Sequence, residues 1–172
     1  MPRRPLRPEK SADDFEAALR PDDFREYLAD HAARIAPSDV ETLVEQAGEL
    51  RARVARDGVA HAGFPDRVDV ALTLLADHAE GASPQIPYST VSLLAAALFY
   101  YLEPLDVIPD FIPVHGTRDD ALVMALAFEL GSDGVARYLR WKGLPLSIVP
   151  EPIATPAPSR RRARKSTRAK RR

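Results

Sequence analysis

Residues 89–102 read Ser-Thr-Val-Ser-Leu-Leu-Ala-Ala-Ala-Leu-Phe-Tyr-Tyr-Leu, and from Val91 onward the stretch is apolar on nearly every face of a helix. A helix that is apolar all round has to be covered on all sides, by protein or by lipid. Only the 12 residues from Val91 to Leu102 stand before Glu103-Pro104, whereas crossing a bilayer takes about 20. The stretch is therefore expected to be the buried central helix of an all-α domain. The next apolar run, Ala121 to Leu130, follows Thr117 and carries Asp119 and Asp120 in its first turn. It is expected to complete a buried apolar hairpin.

The periodicity around this hairpin is helical, and no stretch has the alternation of a strand pair. Ser11 can cap a short helix bearing Phe15 and Leu19, and Pro21 suits the first turn of another with Phe24, Leu28, Ala32 and Ile35. Ser38-Asp39-Val40-Glu41 fits a capping box ahead of one helix whose stripe is Val40, Leu43, Val44, Ala47, Leu50 and Val54. Gly58, Gly63 and Pro65 mark a turn, and the stripe Val68, Ala71, Leu72 and Leu75 stops at Gly81. Gly131 to Gly134 loosens the chain before a last amphipathic piece with Val135, Tyr138, Leu139 and Trp141. The expectation is a compact bundle of five to seven helices.

Charge is segregated along the 172 residues, although 24 Lys and Arg against 25 Asp and Glu give a net of only -1. Residues 160–172 hold nine basic residues and no acid, residues 1–10 hold four basic residues and Glu9, and residues 11–159 are left with 11 basic and 24 acidic residues. An acidic body with a net near -13 thus carries two basic arms, expected to be disordered. The tail residues Arg160, Arg161, Arg162, Arg164, Lys165, Arg168, Lys170, Arg171 and Arg172 are candidate contacts for a polyanion, either nonspecific nucleic acid or an anionic membrane surface. Without interleaved aromatics they can meet phosphates but not read a base sequence.

Five prolines in residues 144–159 suggest a linker, giving an organisation of arm 1–10, helical domain 11–143, linker 144–159 and tail 160–172. The prolines near the start and the lack of an apolar run there do not fit a secretory signal, so a cytoplasmic location, with peripheral membrane association as a variant, is expected. The absence of cysteine excludes thiolate catalysis and Cys-ligated zinc.

The connection between the two apolar helices interleaves Pro104, Asp106, Ile108, Pro109, Asp110, Phe111, Ile112, Pro113 and Gly116 ahead of Asp119 and Asp120. Pro104 would stop the first helix, Pro109 can start a single 3₁₀ turn, and the apolar members can anchor the loop on the core. These residues, with Tyr100 or Tyr101 before them, resemble the signature of the YkvA-like family, a bacterial and plant domain of unknown function, over roughly residues 90–130. His115 stands where that family usually has an apolar residue, and Thr117-Arg118 replaces its usual aromatic or aliphatic pair. The resemblance implies a small helical domain without an established reaction, with membrane association suspected for some members.

Four carboxylates within 15 residues, Asp106, Asp110, Asp119 and Asp120, have two readings. They can supply oxygen ligands to a hard cation such as Mg²⁺, or they can cap the turn and complement the dipole of the following helix. The capping reading leads, because acids are common in first turns and metal cages draw on more than one segment. His31, His61, His78 and His115 have no zinc spacing, and Ser89 and Ser92 have no base nearby in the sequence. Phe99-Tyr100-Tyr101 is expected to divide between the core and a hydrogen-bonded edge, although tyrosines also suit a membrane interface. The leading expectation is a noncatalytic structural or interaction module with an unidentified protein partner and no cofactor. The alternatives are a peripheral membrane protein using the hairpin and tail, a metal-dependent enzyme using the aspartates, and nucleic-acid tethering by the tail.

Overall fold

The computed structural model describes residues 21–57, 63–102 and 118–153, and among them are seven α-helices, a 3₁₀ turn and no strand. In chain order the elements are α1 (Pro21–Ala32), α2 (Pro37–Glu45), α3 (Ala47–Asp57), α4 (Phe64–Ala79), α5 (Tyr88–Leu102), α6 (Arg118–Leu130), α7 (Ser132–Lys142) and the 3₁₀ turn Leu146–Ile148. The all-α class and the helix number expected from the sequence are found. The helix expected after Ser11 and the turn residues Gly58 and His61 lie outside the described residues.

α5 is the centre, with ten of its 15 residues buried, and α1, α2, α4, α6 and α7 all pack on it. Its all-round apolarity is therefore satisfied by protein, each fully buried Leu or Val contributing about 1.5–3 kcal/mol relative to exposure. α6 packs along it as the second arm of the hairpin and buries Val123, Met124, Leu126, Ala127 and Phe128. α4 covers another side with Phe64, Val68, Ala71, Leu72 and Leu75. Its end is a Schellman motif: Gly81, at φ 69°, bonds from its N–H to the His78 carbonyl, and Ala82 N–H bonds to that of Asp77 at 2.8 Å.

Three local expectations need correction. The stripe from Val40 to Val54 is not on one helix: it breaks at Gln46, between α2 and α3. Thr42 Oγ1 bonds back to the Ser38 carbonyl at 2.9 Å, a contact that bends helices, and Gly48 follows directly with poor helix propensity. Nor is Ser38 the cap, because it lies inside α2. The extended residue is Ala36, whose N–H donates to Asp39 Oδ2 at 2.8 Å. Gly134 does not loosen the chain but is buried within α7, against Thr90 of α5.

The described part of the proline-rich segment, residues 144–153, lies along the body, with Leu144, Ile148, Val149 and Ile153 packed against the core. Arg67 Nε donates to the Ile148 carbonyl at 3.0 Å. Arg25 Nη2 donates to the Ile153 carbonyl at 2.6 Å and to Glu129 Oε1 at 3.2 Å, while Ile153 N–H donates to Glu129 Oε2 at 3.0 Å. One ion pair thus holds both the donor and the acceptor of Ile153.

Candidate functional site

Antiparallel packing of α5 and α6 places the end of one beside the start of the other, and here carboxylates meet tyrosines. Asp119 and Asp120, in the first turn of α6, are 0% and 2% exposed. The positive end of the helix dipole favours both charges, but a buried carboxylate also needs hydrogen-bond donors. For Asp119 Oδ2 one donor is Tyr100 Oη at 2.9 Å. Tyr100 is in turn fixed by the α1 rings Phe24 and Tyr27, both edge-on to it at 6.0 and 5.1 Å.

The neighbouring Tyr101 faces another helix. Its hydroxyl donates to Asp57 Oδ2, on the last residue of α3, at 2.6 Å. Arg53, one turn earlier, reaches the same carboxylate at 3.5 Å and lays its guanidinium 4.5 Å from the Tyr101 ring centre. Phe64 of α4 meets that ring edge-on at 5.5 Å. Burial, the Asp57 hydrogen bond and the Asp57 and Asp120 charges push the Tyr101 phenol far above its ordinary pKa, against a smaller opposing effect of Arg53. Tyr101 consequently stays protonated at neutral pH. It is a fixed donor to Asp57.

A second seam of the same type joins α4 to α7. Asp77 Oδ2 accepts from both Tyr138 Oη and Lys142 Nζ at 2.6 Å. Burial pushes the Asp77 carboxyl up, but the bonds from Lys142 and Tyr138 outweigh it and hold the group below its usual range. Tyr138 is raised by burial and by its bond to Asp77.

Of the residues singled out in the sequence, Asp119 and Asp120 are brought together with Tyr100 and Tyr101. Pro104, Asp106, Ile108, Pro109, Asp110, Phe111, Ile112, Pro113, His115 and Gly116, and the tail from Arg160 to Arg172, lie outside the described residues. Ser92 Oγ bonds to the Ser89 carbonyl at 3.2 Å, while His31 stacks on Tyr27 and meets its carbonyl at 2.8 Å. Among the described residues no three His, Asp or Glu side chains are grouped to hold a metal ion. Asp57 and Arg53 were not legible as site members. Their partner Tyr101 is 44 residues away from Asp57, and nothing local marks the pairing.

Two cavities are separate from these seams. One of about 560 Å³ is lined by His78, Gln85, Ile86 and Arg137, and another of about 420 Å³ by His31, Arg34, Ile35, Ala96, Phe99 and Leu102. Ser83 also lines the first, where its Oγ donates to the Pro84 carbonyl at 3.3 Å.

The family match falls on the helix pair that holds the acid and tyrosine cluster. Residues 90–126 match the family described as "Protein of unknown function (DUF1232)". The chain is 38% identical over 69 residues to the "Uncharacterized membrane protein YkvA" of Bacillus subtilis (strain 168), a stretch covering 40% of this chain and 65% of that relative. No solved structure matches. The segment matched to that family holds Tyr100, Tyr101, Asp119 and Asp120, and the likeness is to YkvA-like proteins.

Proposed function

We propose that the protein is a noncatalytic helical module that sits peripherally on an anionic membrane surface, with the basic tail 160–172 supplying the attraction. The observation carrying this reading is the use made of the apolar helix pair: α5 and α6 commit most of their apolar side chains to the core, Tyr88 and Leu130 being the exposed exceptions. No helix among the described residues is long and apolar enough to cross a membrane. The name of the Bacillus relative points to membranes, and contact through surface charge is compatible with that name while most of the apolar surface of α5 and α6 is covered by protein. The noncatalytic part rests on the seams. In them the Tyr101 and Tyr138 phenols are raised above their ordinary pKa, and Asp57, Asp77 and Asp119 accept hydrogen bonds from tyrosine, an arrangement that fixes helix ends.

Sedimentation of the full chain with vesicles tests this. The chain should pellet with phosphatidylcholine vesicles containing phosphatidylglycerol and not with phosphatidylcholine alone, and 0.5 M salt should release it, because exposed charges are screened within about 3–10 Å at 0.1–1 M salt. A chain ending at Ser159 should bind at least about tenfold more weakly, since each of the nine cations near such a surface is worth about 1 kcal/mol. Equal, salt-insensitive binding to neutral vesicles would overturn the reading. So would binding of duplex DNA without binding of anionic vesicles.

A further inference from the structure

The end of α7 differs in chemistry from the rest of the body. Val135, Tyr138 and Leu139 are buried, and Arg137, Arg140 and Trp141, at the same i, i+3, i+4 spacing, occupy the opposite, exposed face. Gly143, at φ 72°, turns the chain there. Leu144 N–H then bonds back to the Leu139 carbonyl at 2.8 Å, so the 3₁₀ turn carrying Leu146 packs beside the helix end. Trp141 is 47% exposed and Leu146 46%, two of the four large hydrophobic residues exposed among the described residues.

The charge around this corner is also out of keeping. From Gly134 to Pro150 the chain has Arg137, Arg140 and Lys142 and no acid, inside a body with a net near -13. Asp133 and Glu151 bound the stretch, Asp133 sitting in the first turn of α7 at its opposite end. Lys142 is neutralised by Asp77 at 2.6 Å and lies 5.4 Å from the Trp141 ring centre. Arg137 instead donates to the neutral carbonyl of Gln85 at 2.7 Å, which keeps its full charge in play, and Arg140 points from the exposed face.

An indole with an apolar body and one N–H donor prefers the boundary between headgroups and acyl chains, and arginines beside it are attracted to anionic headgroups. A protein partner fits less well. Two half-exposed apolar side chains offer far less than the roughly 800 Å² per partner of a stable interface.

We propose that Arg137, Arg140, Trp141 and Leu146 form an interfacial anchor that places Trp141 and Leu146 at the headgroup level of an anionic bilayer. The proposal rests on the peripheral-membrane reading above and adds the surface that docks.

Trp141 is the only tryptophan of the chain, so its emission reports on this corner alone. With the full chain and vesicles of phosphatidylcholine and phosphatidylglycerol, emission should move to shorter wavelength and be quenched by lipids brominated on the acyl chain. By sedimentation, Arg140→Gln should weaken binding about fivefold and the pair Trp141→Ala, Leu146→Ser about tenfold or more. Sedimentation of the wild-type chain with unmoved, unquenched emission would overturn the anchor and leave tethering by the tail standing. No sedimentation with anionic vesicles would overturn both. A blue shift that grows with protein concentration without vesicles would assign the corner to a second copy of the chain and overturn the anchor.

Discussion

A methyl group added to Gly134 would lie 2.3 Å from Thr90 Oγ1 and 2.8 Å from Thr90 Cβ. The crossing of α7 over the start of α5 is close enough that only a missing side chain permits it. Gly134→Ala should therefore destabilise the protein by about 1–3 kcal/mol, although alanine is the better helix former by about 1 kcal/mol. Thr90→Ala in the same chain should restore part of the loss by removing two of the three clashing atoms. Gly48, exposed in α3 with nothing within 4 Å of the position a Cβ would take, is the control: Gly48→Ala should stabilise by about 0.4–1 kcal/mol. Urea midpoints for the three variants decide the matter, and a Gly134→Ala protein as stable as wild type would refute the crossing.

The Tyr100 hydroxyl and the Asp119 carboxylate should show a measurable coupling. A hydrogen bond to a buried charge contributes about 1.5–3 kcal/mol, so Tyr100→Phe and Asp119→Ala should each lower stability by that order. The double variant should lose clearly less than the two losses added, and Asp119→Asn, which keeps an acceptor, should cost less than Asp119→Ala. Melts with and without Mg²⁺, Mn²⁺ or Ca²⁺ should coincide. A metal-induced rise of several degrees that disappears in Asp119→Asn would move the metal reading of the aspartates to the front.

The central helix was legible because an unbroken apolar run of that length admits few environments, and its partner followed from the first-turn acids and the next apolar run. What escaped the sequence depended on residues far apart in the chain. Gly134 reads as a helix breaker until Thr90 is seen opposite it, and Asp57 is one more surface acid until Tyr101 donates to it. Gln46 carries no turn signature, so the stripe running through it looked continuous. In residues 144–153 the prolines were given more weight than the Leu144, Ile148, Val149 and Ile153 between them, which proved to be the residues that pack. The carboxylate set was divided in a similar way. Asp119 and Asp120 were identified as helix-start acids from sequence, while the tyrosines that meet them were assigned only to a generic hydrogen-bonded edge.

The α4–α7 seam should make stability depend on acid. Asp77 is depressed below its usual value by Lys142 and Tyr138, which outweigh burial, so the unfolded chain takes up a proton at this site at higher pH than the folded one. The stabilisation is therefore complete above the unfolded value of about 4 and is lost as pH falls through the lower folded value. Asp77→Asn should destabilise the protein at pH 7, and the gap to wild type should narrow steadily below about pH 4. At the other extreme Tyr138 and Tyr101 have raised folded values. Their contribution is intact below about pH 10 and declines above it, because only the unfolded phenols ionise there. Tyrosinate absorbance should accordingly rise in step with loss of helical circular dichroism, and full ionisation of the phenols in a still-helical protein would contradict the burial of these two.

Where the body ends can be settled by truncation. Leu144, Ile148, Val149 and Ile153 pack on the core, Arg67 holds the Ile148 carbonyl, and the Arg25–Glu129 pair holds Ile153 on both its N–H and its carbonyl. A chain ending at Gly143 would remove the apolar cover and leave the Arg67 guanidinium, whose pKa burial lowers against the raising effect of Asp66, without its carbonyl acceptor. A hydrogen bond from a charged donor is worth about 1.5–3 kcal/mol where the group is well buried. Arg67 and Arg25 are only partly so, and solvent screening reduces the figure. The chain ending at Gly143 should thus be less stable than the full chain by about 2–4 kcal/mol, apolar cover included, and the chain ending at Ser159 should match the full chain within about 0.5 kcal/mol. Arg25→Met should reproduce part of the loss in the full chain and none of it in the chain ending at Gly143 beyond the Glu129 pairing itself. Equal urea midpoints for chains ending at Gly143 and Ser159 would return residues 144–153 to the status of a linker.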